Sequence, residues 1–244
     1  MTRILFAALI VFGSLAAVAA PIPKEKEKEK EKLLPPTEKQ FAASRNNLKM
    51  IGIAIHSYHD TNGKMPADVV DKDGKAILSW RVLLLPYLEE EKLYKEFQLG
   101  EPWDSKVNKA LIEKLPKVYA PIRVKAEKGN TFYRGFNGAD TTFEAGKKLA
   151  IPQGFPDGMS NTIAVVEAGE ACMWSKPDDL LYDATKVLPK LGGLFEGDFH
   201  VLLMDGSVMK GHGKMMNTDE FRKLVTRSDG MVVNIEMALG HEKK

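Results

Sequence analysis

The stretch TEKQFAASRNNLKMIGIAIHSYHDTNG, residues 37–63, decides the fold of this chain. Thr37 and Gln40 have the spacing of a capping box, and Asn62-Gly63 is typical of a helix end. Between them, a set of apolar side chains recurs on one narrow arc at the helical repeat, which predicts an amphipathic helix of about six to seven turns. A stripe of this length requires a sheet or another helix to cover it. Its members are Phe41, Leu48, Ile51, Ile55 and Tyr58.

Further along the chain the pattern changes from helical segments to short β-like runs. Ser79 predicts the start of a helix over residues 80–87 that Pro86 kinks or ends, with a continuation over 89–97. Ser105 predicts a third helix that ends before Pro116. Helices first and antiparallel strands later predict an α+β fold. The predicted strands are 117–119, 131–136, 162–167 and 199–204, followed by a two-residue hairpin turn at Asp205-Gly206 and a last helix over 219–227.

The first 36 residues have the pattern of an export signal followed by a tether. A basic residue, an apolar run and Ala17-Val18-Ala19 predict a signal peptide over residues 1–19, so we expect a periplasmic, cell-surface or extracellular protein. Whether residues 4–19 are cleaved or kept as a membrane anchor stays open. Alternating Lys and Glu between prolines predict an extended tether over 20–36, or else an arm that binds a partner. Residues 37–244 are predicted to form a single globular domain.

Charge and cysteine content exclude some classes of function. Outside the signal and the Lys/Glu run, basic and acidic residues balance, so the domain lacks the concentrated basic face that nucleic-acid binding requires. The single cysteine, Cys172, excludes an intramolecular disulfide and a multi-cysteine metal cage. We expect no cofactor.

Four motifs occur in order along the chain. They are RNNLKMIGIAIHSYHDTNGKMP (45–66), SWRVLLLPYL with EPWDS (79–88 and 101–105), DGMSNTI (157–163) and FHVLLMDGSV (199–208). Together they resemble the family of domain of unknown function 1559, bacterial pilin-like or pseudopilin-like proteins that usually carry a prepilin-type N-terminal cleavage and methylation segment. The resemblance implies one long N-terminal helix packed on an antiparallel sheet, with additional short helices and loop insertions.

Two features depart from the family pattern. Prepilins carry a glutamate at the fifth position of the apolar helix that follows a glycine, and no glutamate stands there after Gly13. Because the charged tether also interrupts the helix, we do not expect the chain to polymerise into a pilus core. Many relatives place a cysteine just before the "NNLK" run and another before a proline, whereas this chain has Ser44 and Arg45 at the first place and Ala120 at the second.

Several side chains could carry chemistry, each with a structural alternative. His56 and His59, three residues apart, could form a metal site with His200, although hydrogen-bonded histidines packed at the sheet are the favoured interpretation. The acids could form a paired-carboxylate glycosidase site, but solvation at the rim is favoured. Ser160 lacks the second glycine of a nucleophile elbow and an identifiable base. The acids are Glu167, Glu170, Asp178 and Asp179.

The sequence thus predicts a non-catalytic, exported structural or protein-interaction module related to pseudopilin head domains, with envelope or secretion-assembly proteins as partners. One alternative is a carbohydrate-binding module that uses exposed tryptophans among Trp80, Trp103 and Trp174; another is a metal-dependent hydrolase. Contact with a membrane is expected only if the signal segment is retained. The residues predicted to matter structurally are Leu48, Ile51, Ile55 and Tyr58 on the helix, Trp80 and Leu84 beneath it, and Asp205 and Gly206 in the turn.

Overall fold

The long helix predicted at the N-terminal side of the domain is present with both of its ends. The structure, a computed structural model, describes residues 34–124 and 126–241, so the predicted signal peptide and most of the predicted tether lie outside the described residues. Helix α1 spans Glu38–Asn62. Thr37 and Gln40 form the capping box, and Gly63 ends the helix in the left-handed conformation at φ 67°. Both predicted signals are therefore confirmed.

A four-stranded antiparallel sheet forms the centre of the fold, in the order β3-β5-β7-β8. The predicted α+β class is thereby confirmed. Two further pairs of short strands, β1 with β2 and β4 with β6, border it. The strands are β1 Val69–Val70, β2 Ala76–Leu78, β3 Asn130–Arg134, β4 Phe136–Asn137, β5 Ile163–Met173, β6 Leu180–Leu181, β7 Asp198–Leu203 and β8 Val208–His212.

Helices cover both faces of this sheet, so β7 is buried along almost its whole length. Side chains of a strand alternate between faces, and Leu202 packs in one hydrophobic cluster with the α1 stripe. Phe199 and Val201 point the other way, into a second cluster with α5 (Thr218–Val225) and α6 (Ile235–Leu239). The C-terminal helices thus form a third layer.

Glycine allows α1 to lie close to the sheet. A Cβ placed on Gly52 would lie 3.0 Å from Cδ1 of Leu202, tighter than an ordinary van der Waals contact. The predicted stripe residues Leu48, Ile51 and Ile55 are buried beside it, with at most 1% of their surface exposed. Tyr58 is half-buried at the end of the helix. Trp80 and Leu84 are fully buried in the same cluster.

Short helices connect α1 to the sheet. They are α2 Trp80–Leu83, α3 Glu91–Glu96 and α4 Lys106–Leu111, with a 3-10 turn at Leu85–Leu88 where Pro86 ends the regular helix. Residues Lys117–Tyr119 were predicted to be a strand, and this prediction is wrong. They form a 3-10 turn that starts after Pro116, and Tyr119 is buried there with its hydroxyl donating to the carbonyl of Arg81 at 3.1 Å.

The β7–β8 hairpin is present, but its predicted two-residue turn is wrong. Gly206 N–H donates to the carbonyl of Leu203, and Leu203 N–H donates to the carbonyl of Ser207, so the loop has three residues. Only Gly206 has positive φ, at 86°, whereas Asp205 does not. A two-residue type I′ turn needs positive φ at both positions; a three-residue loop needs it only at the last.

No helix in the described part of the chain combines the length and the apolar character needed to cross a membrane.

Candidate functional site

A buried polar cluster ties α1 to three neighbouring strands of the sheet. We call it the Glu167 cluster: Ser44 and Asn47 on α1, Tyr133 on β3, Glu167 on β5 and His200 on β7. The Asn47 amide donates to the Tyr133 hydroxyl, which bonds the Ser44 hydroxyl at 2.6 Å, and Ser44 in turn donates to the Glu167 carboxylate. The backbone N–H of His200 donates to Glu167 Oε2 at 2.7 Å, and its ring Nδ1 lies 3.2 Å away.

Apart from Asn47, which is half-buried, the Glu167 cluster is closed to solvent and its polar groups bond to one another. Ser44, Tyr133 and Glu167 are fully buried, and His200 is only 3% exposed. Burial, with the Glu167 carboxylate nearby, raises the pKa of Tyr133 far above its ordinary value. The serine bonds the acid and not the histidine, so the arrangement is not that of a serine–histidine–acid triad. The cluster is therefore built to hold α1 on the sheet.

A second polar cluster, formed by Arg81 and Asp179, lies nearby in the core. Their side chains form a 2.6 Å ion pair that is shut off from solvent. Asp179 also accepts from the Trp80 indole N–H at 2.7 Å and from the backbone N–H of Gly135. Arg81 stands inside the apolar run 80–85, and a charge within such a run was the signal for a buried ion pair that sequence reasoning missed.

An open pocket lies between the end of α1, β1 and the segment 146–148. We call it the Asp68 pocket, and its volume is about 340 Å³. Asp68 Oδ1 accepts from the backbone N–H of Trp80 at 3.0 Å. Its Oδ2 has no hydrogen-bond partner among the described residues and is not one of their fully buried unpaired atoms, so solvent reaches this oxygen. The other lining residues are Tyr58, Lys64, Met65, Ala67, Val69, Val70, Leu83, Gly146, Lys147 and Lys148.

Asp68 has an unusual protonation equilibrium because it is largely buried and lies near a second acid, Asp179. Burial and the neighbouring Asp179 raise the pKa of Asp68 to about 7, against the lowering effects of the Trp80 N–H and of Arg81. Asp179 already holds Arg81 in an ion pair, so the guanidinium does little to stabilise a second negative charge. Near neutral pH, this carboxyl can therefore donate a hydrogen bond as well as accept one.

A groove of about 390 Å³ runs along the outward face of α1, where the β7–β8 turn borders it. Ile53 lies in this groove with 60% of its surface exposed, and Met50, one helical turn before it, is 40% exposed. Lys49 and Asp60 contribute opposite charges to its lining. We call this surface, with Met50 added to the lining residues, the outer α1 groove. The other lining residues are Gly52, His56, Ser57, Asp205 and Gly206.

The structure does not bring the three candidate metal ligands together. His56 Nε2 donates to the carbonyl of Met204 at 2.8 Å, and His59 Nε2 accepts from the backbone N–H of Ile151 at 2.9 Å. His200 belongs to the Glu167 cluster. Each histidine is thus engaged separately, and within the described ranges no group of three His, Cys, Asp or Glu side chains is placed to hold a metal ion.

The tryptophans do not form the exposed platform that carbohydrate binding was expected to need. Trp80 and Trp174 are fully buried, and Trp103 is half-buried against the same core. The Trp174 indole N–H is also occupied, donating to the carbonyl of Ile112 at 3.0 Å. At most one tryptophan can therefore offer part of its ring to a sugar, and two stacked rings on one face are excluded.

The prediction that the acids are solvated at the rim is wrong for two of them. Glu170 is exposed and Asp178 is partly exposed, but Glu167 is fully buried and Asp179 is 6% exposed. Glu167 and Asp179 belong to two different closed clusters, so they do not form a carboxylate pair across an open cleft. Cys172 is buried and unpaired, and burial raises the pKa of its thiol, as suits a small apolar core residue.

Comparison with known proteins gives one positive finding. Residues 42–156 match the model of the family described as "Protein of unknown function (DUF1559)". No curated protein and no solved structure matches the chain. The matched segment contains most of α1, the connecting helices, β3 and all the lining residues of the Asp68 pocket.

Proposed function

We propose that the protein, whose residues 42–156 match the DUF1559 family model, is a non-catalytic, exported interaction module that binds a protein partner through the outer α1 groove. One observation carries the proposal. The inner face of α1 is packed into the core, while Ile53 on the outer face stands 60% exposed in a groove.

The chemistry of the outer α1 groove suits a protein segment with an apolar anchor side chain. Ile53 and Met50 supply apolar contact, and methionine adapts well to varied partners. Lys49 and Asp60 offer charges of both signs, so a strongly acidic or strongly basic partner is not favoured. Hydrophobic anchors surrounded by a polar rim are the usual anatomy of a protein interface.

One feature of the sequence and one of the structure extend the proposal to the location and the ancestry of the protein. The apolar segment at residues 1–19 has the pattern of a signal peptide, so we place the protein outside the cytoplasm. The long helix on an antiparallel sheet supports a relation to pseudopilin head domains, with an envelope or secretion-assembly protein as the partner.

The test compares substitutions at two exposed apolar residues. A photo-crosslinking residue is placed at position 50, so that Ile53 can be substituted independently. The full chain carrying this residue is expressed in its native envelope in three forms: otherwise wild type, Ile53→Asp and Val187→Asp. Val187 is 93% exposed and lies outside the groove, so it is the matched control.

We expect one crosslinked protein with the wild type and with Val187→Asp, and its loss with Ile53→Asp, while all three melt at the same temperature. An equal crosslink yield from Ile53→Asp, or no crosslink from the wild type, would contradict the proposal.

A further inference from the structure

The Asp68 pocket has the features of a small-molecule site that is separate from the outer α1 groove. Its volume of about 340 Å³ lies within the range of ligand pockets, roughly 300–1,000 Å³. Most of its wall is apolar, and a few charged residues also line it. An apolar cavity with few, well-placed polar groups is the usual design of such a site.

The charged residues that line the pocket indicate the charge of the ligand that it binds. Lys64, Lys147 and Lys148 line it, and none of them has an ion-pair partner among the described residues. Among the described residues that line the pocket, Asp68 is the only acid, and solvent reaches its Oδ2. Three amines against one acid favour an anion over a cation.

The apolar side chains of the wall favour a ligand in which an apolar group is attached to the anionic group. Met65 is buried behind the pocket, and Val69 and Leu83 are half-buried in its lining, so their side chains offer apolar contact on the inner side. The lysines are exposed at the outer side. A ligand with one charged end and one aliphatic or aromatic end fits this separation, whereas inorganic phosphate would leave the apolar wall uncovered.

We propose that the Asp68 pocket binds a small organic monocarboxylate, with the carboxylate among the three lysine amines and within reach of Asp68 Oδ2, and the apolar body against Met65, Val69 and Leu83. This site is independent of the protein-docking surface proposed above.

Asp68 then acts as a hydrogen-bond donor to the ligand. The backbone N–H of Trp80 occupies Oδ1, so a proton carried by this carboxyl resides on Oδ2, the oxygen that solvent reaches. The pKa of about 7 means that the donor form persists at mildly acidic pH and is lost above neutrality. The titratable or charged groups that face Asp68 are Asp179 and Arg81 behind it and Tyr58, Lys64, Lys147 and Lys148 around the pocket.

The experiment is a titration of the full chain with octanoate at pH 6.0, followed by chemical-shift changes of the backbone amides. Octylamine and octanamide are the matched cationic and neutral probes. The variants are Asp68→Asn, Asp68→Ala, the double variant Lys147→Ala/Lys148→Ala and, as an exposed lysine outside the pocket, Lys214→Ala.

We expect saturable octanoate binding with the largest shifts around residues 65–70. The double lysine variant and Asp68→Ala should each bind at least tenfold more weakly, while Asp68→Asn, whose amide donates in place of the carboxyl, and Lys214→Ala stay within about twofold of wild type. Between pH 6.0 and 8.5 wild-type affinity should fall several-fold more than that of Asp68→Asn.

Three results would overturn the proposal: no saturable shifts with octanoate, tighter binding of octylamine than of octanoate, or shifts that map away from the pocket. Loss of binding in Asp68→Asn while its melting temperature is unchanged would refute the donor role of Asp68.

Discussion

Ile53 and Ile55 lie two residues apart on α1 and have opposite surroundings. Ile55 is 1% exposed and packs in the core cluster with Leu202 of the sheet, whereas Ile53 is 60% exposed in the outer α1 groove. A step of two residues turns a helix by roughly 200°, so the two side chains point to nearly opposite faces. The same residue type thus serves the fold at one position and is free for binding at the other.

The largest effect is expected from a charge placed on the inner face. Ile55→Asp would bury a carboxylate against the sheet without a partner, at a cost of more than about 4 kcal/mol, which is a large part of the stability of an ordinary domain. Leu48→Asp should do the same. Circular dichroism melts would show the loss, and a melting temperature close to wild type in either variant would contradict the packing of this face.

A smaller effect is expected in the polar part of the inner face. Glu167→Gln keeps the shape of the side chain but places an amide NH₂ beside groups that donate to the carboxylate in the wild type. We therefore expect the free energy of unfolding, measured in urea, to fall by about 2 kcal/mol. Glu170→Gln, three residues along the same strand and exposed, is the control and should change stability by less than about 0.5 kcal/mol. Equal effects of the two changes would mean that the Glu167 cluster does not hold α1 in place.

Asp68 combines the two kinds of surroundings. One of its carboxylate oxygens bonds to the core, and the other is reached by solvent. Its pKa is about 7 in the folded protein against an ordinary value of 3.8. The folded state therefore keeps a proton that the unfolded state releases, and the contribution of Asp68 to the unfolding free energy of the wild type falls as pH rises from about 4 to about 7.

Asp68→Asn lacks this titration, so its stability relative to wild type should rise by on the order of 2 kcal/mol between pH 4.5 and 8. Urea unfolding of both proteins at pH 4.5, 6 and 8 measures the difference. Parallel pH profiles would show that Asp68 does not carry a raised pKa.

Local signals in the sequence were sufficient for α1 and insufficient for its partners. Thr37, Gln40 and Gly63 act within a few residues, so the ends of the helix could be predicted. The burial of Glu167 depends on Ser44 and His200, which are distant in the sequence and meet only in the folded sheet. No local pattern distinguishes such an acid from one at a rim.

Short segments were the other source of error in the secondary structure predicted from the sequence. The three residues Lys117–Tyr119 are too few to show a helical or a strand period, and they form a 3-10 turn that starts after Pro116. Helix α6, with five residues, was not predicted for the same reason. The Asp68 pocket brings together β1, the end of α1 and residues 146–148, so its assembly required the tertiary fold.

The most direct test of the account is thiol labelling of Ile53→Cys and Ile55→Cys in the native state, with wild-type Cys172, which is buried, as the background. We predict that the thiol at position 53 reacts at nearly the rate of a free thiol, and that the thiol at position 55 reacts at least a hundredfold more slowly until the protein is unfolded. Equal labelling rates at the two positions would contradict the central claim that the sheet covers one face of α1 and leaves the other open.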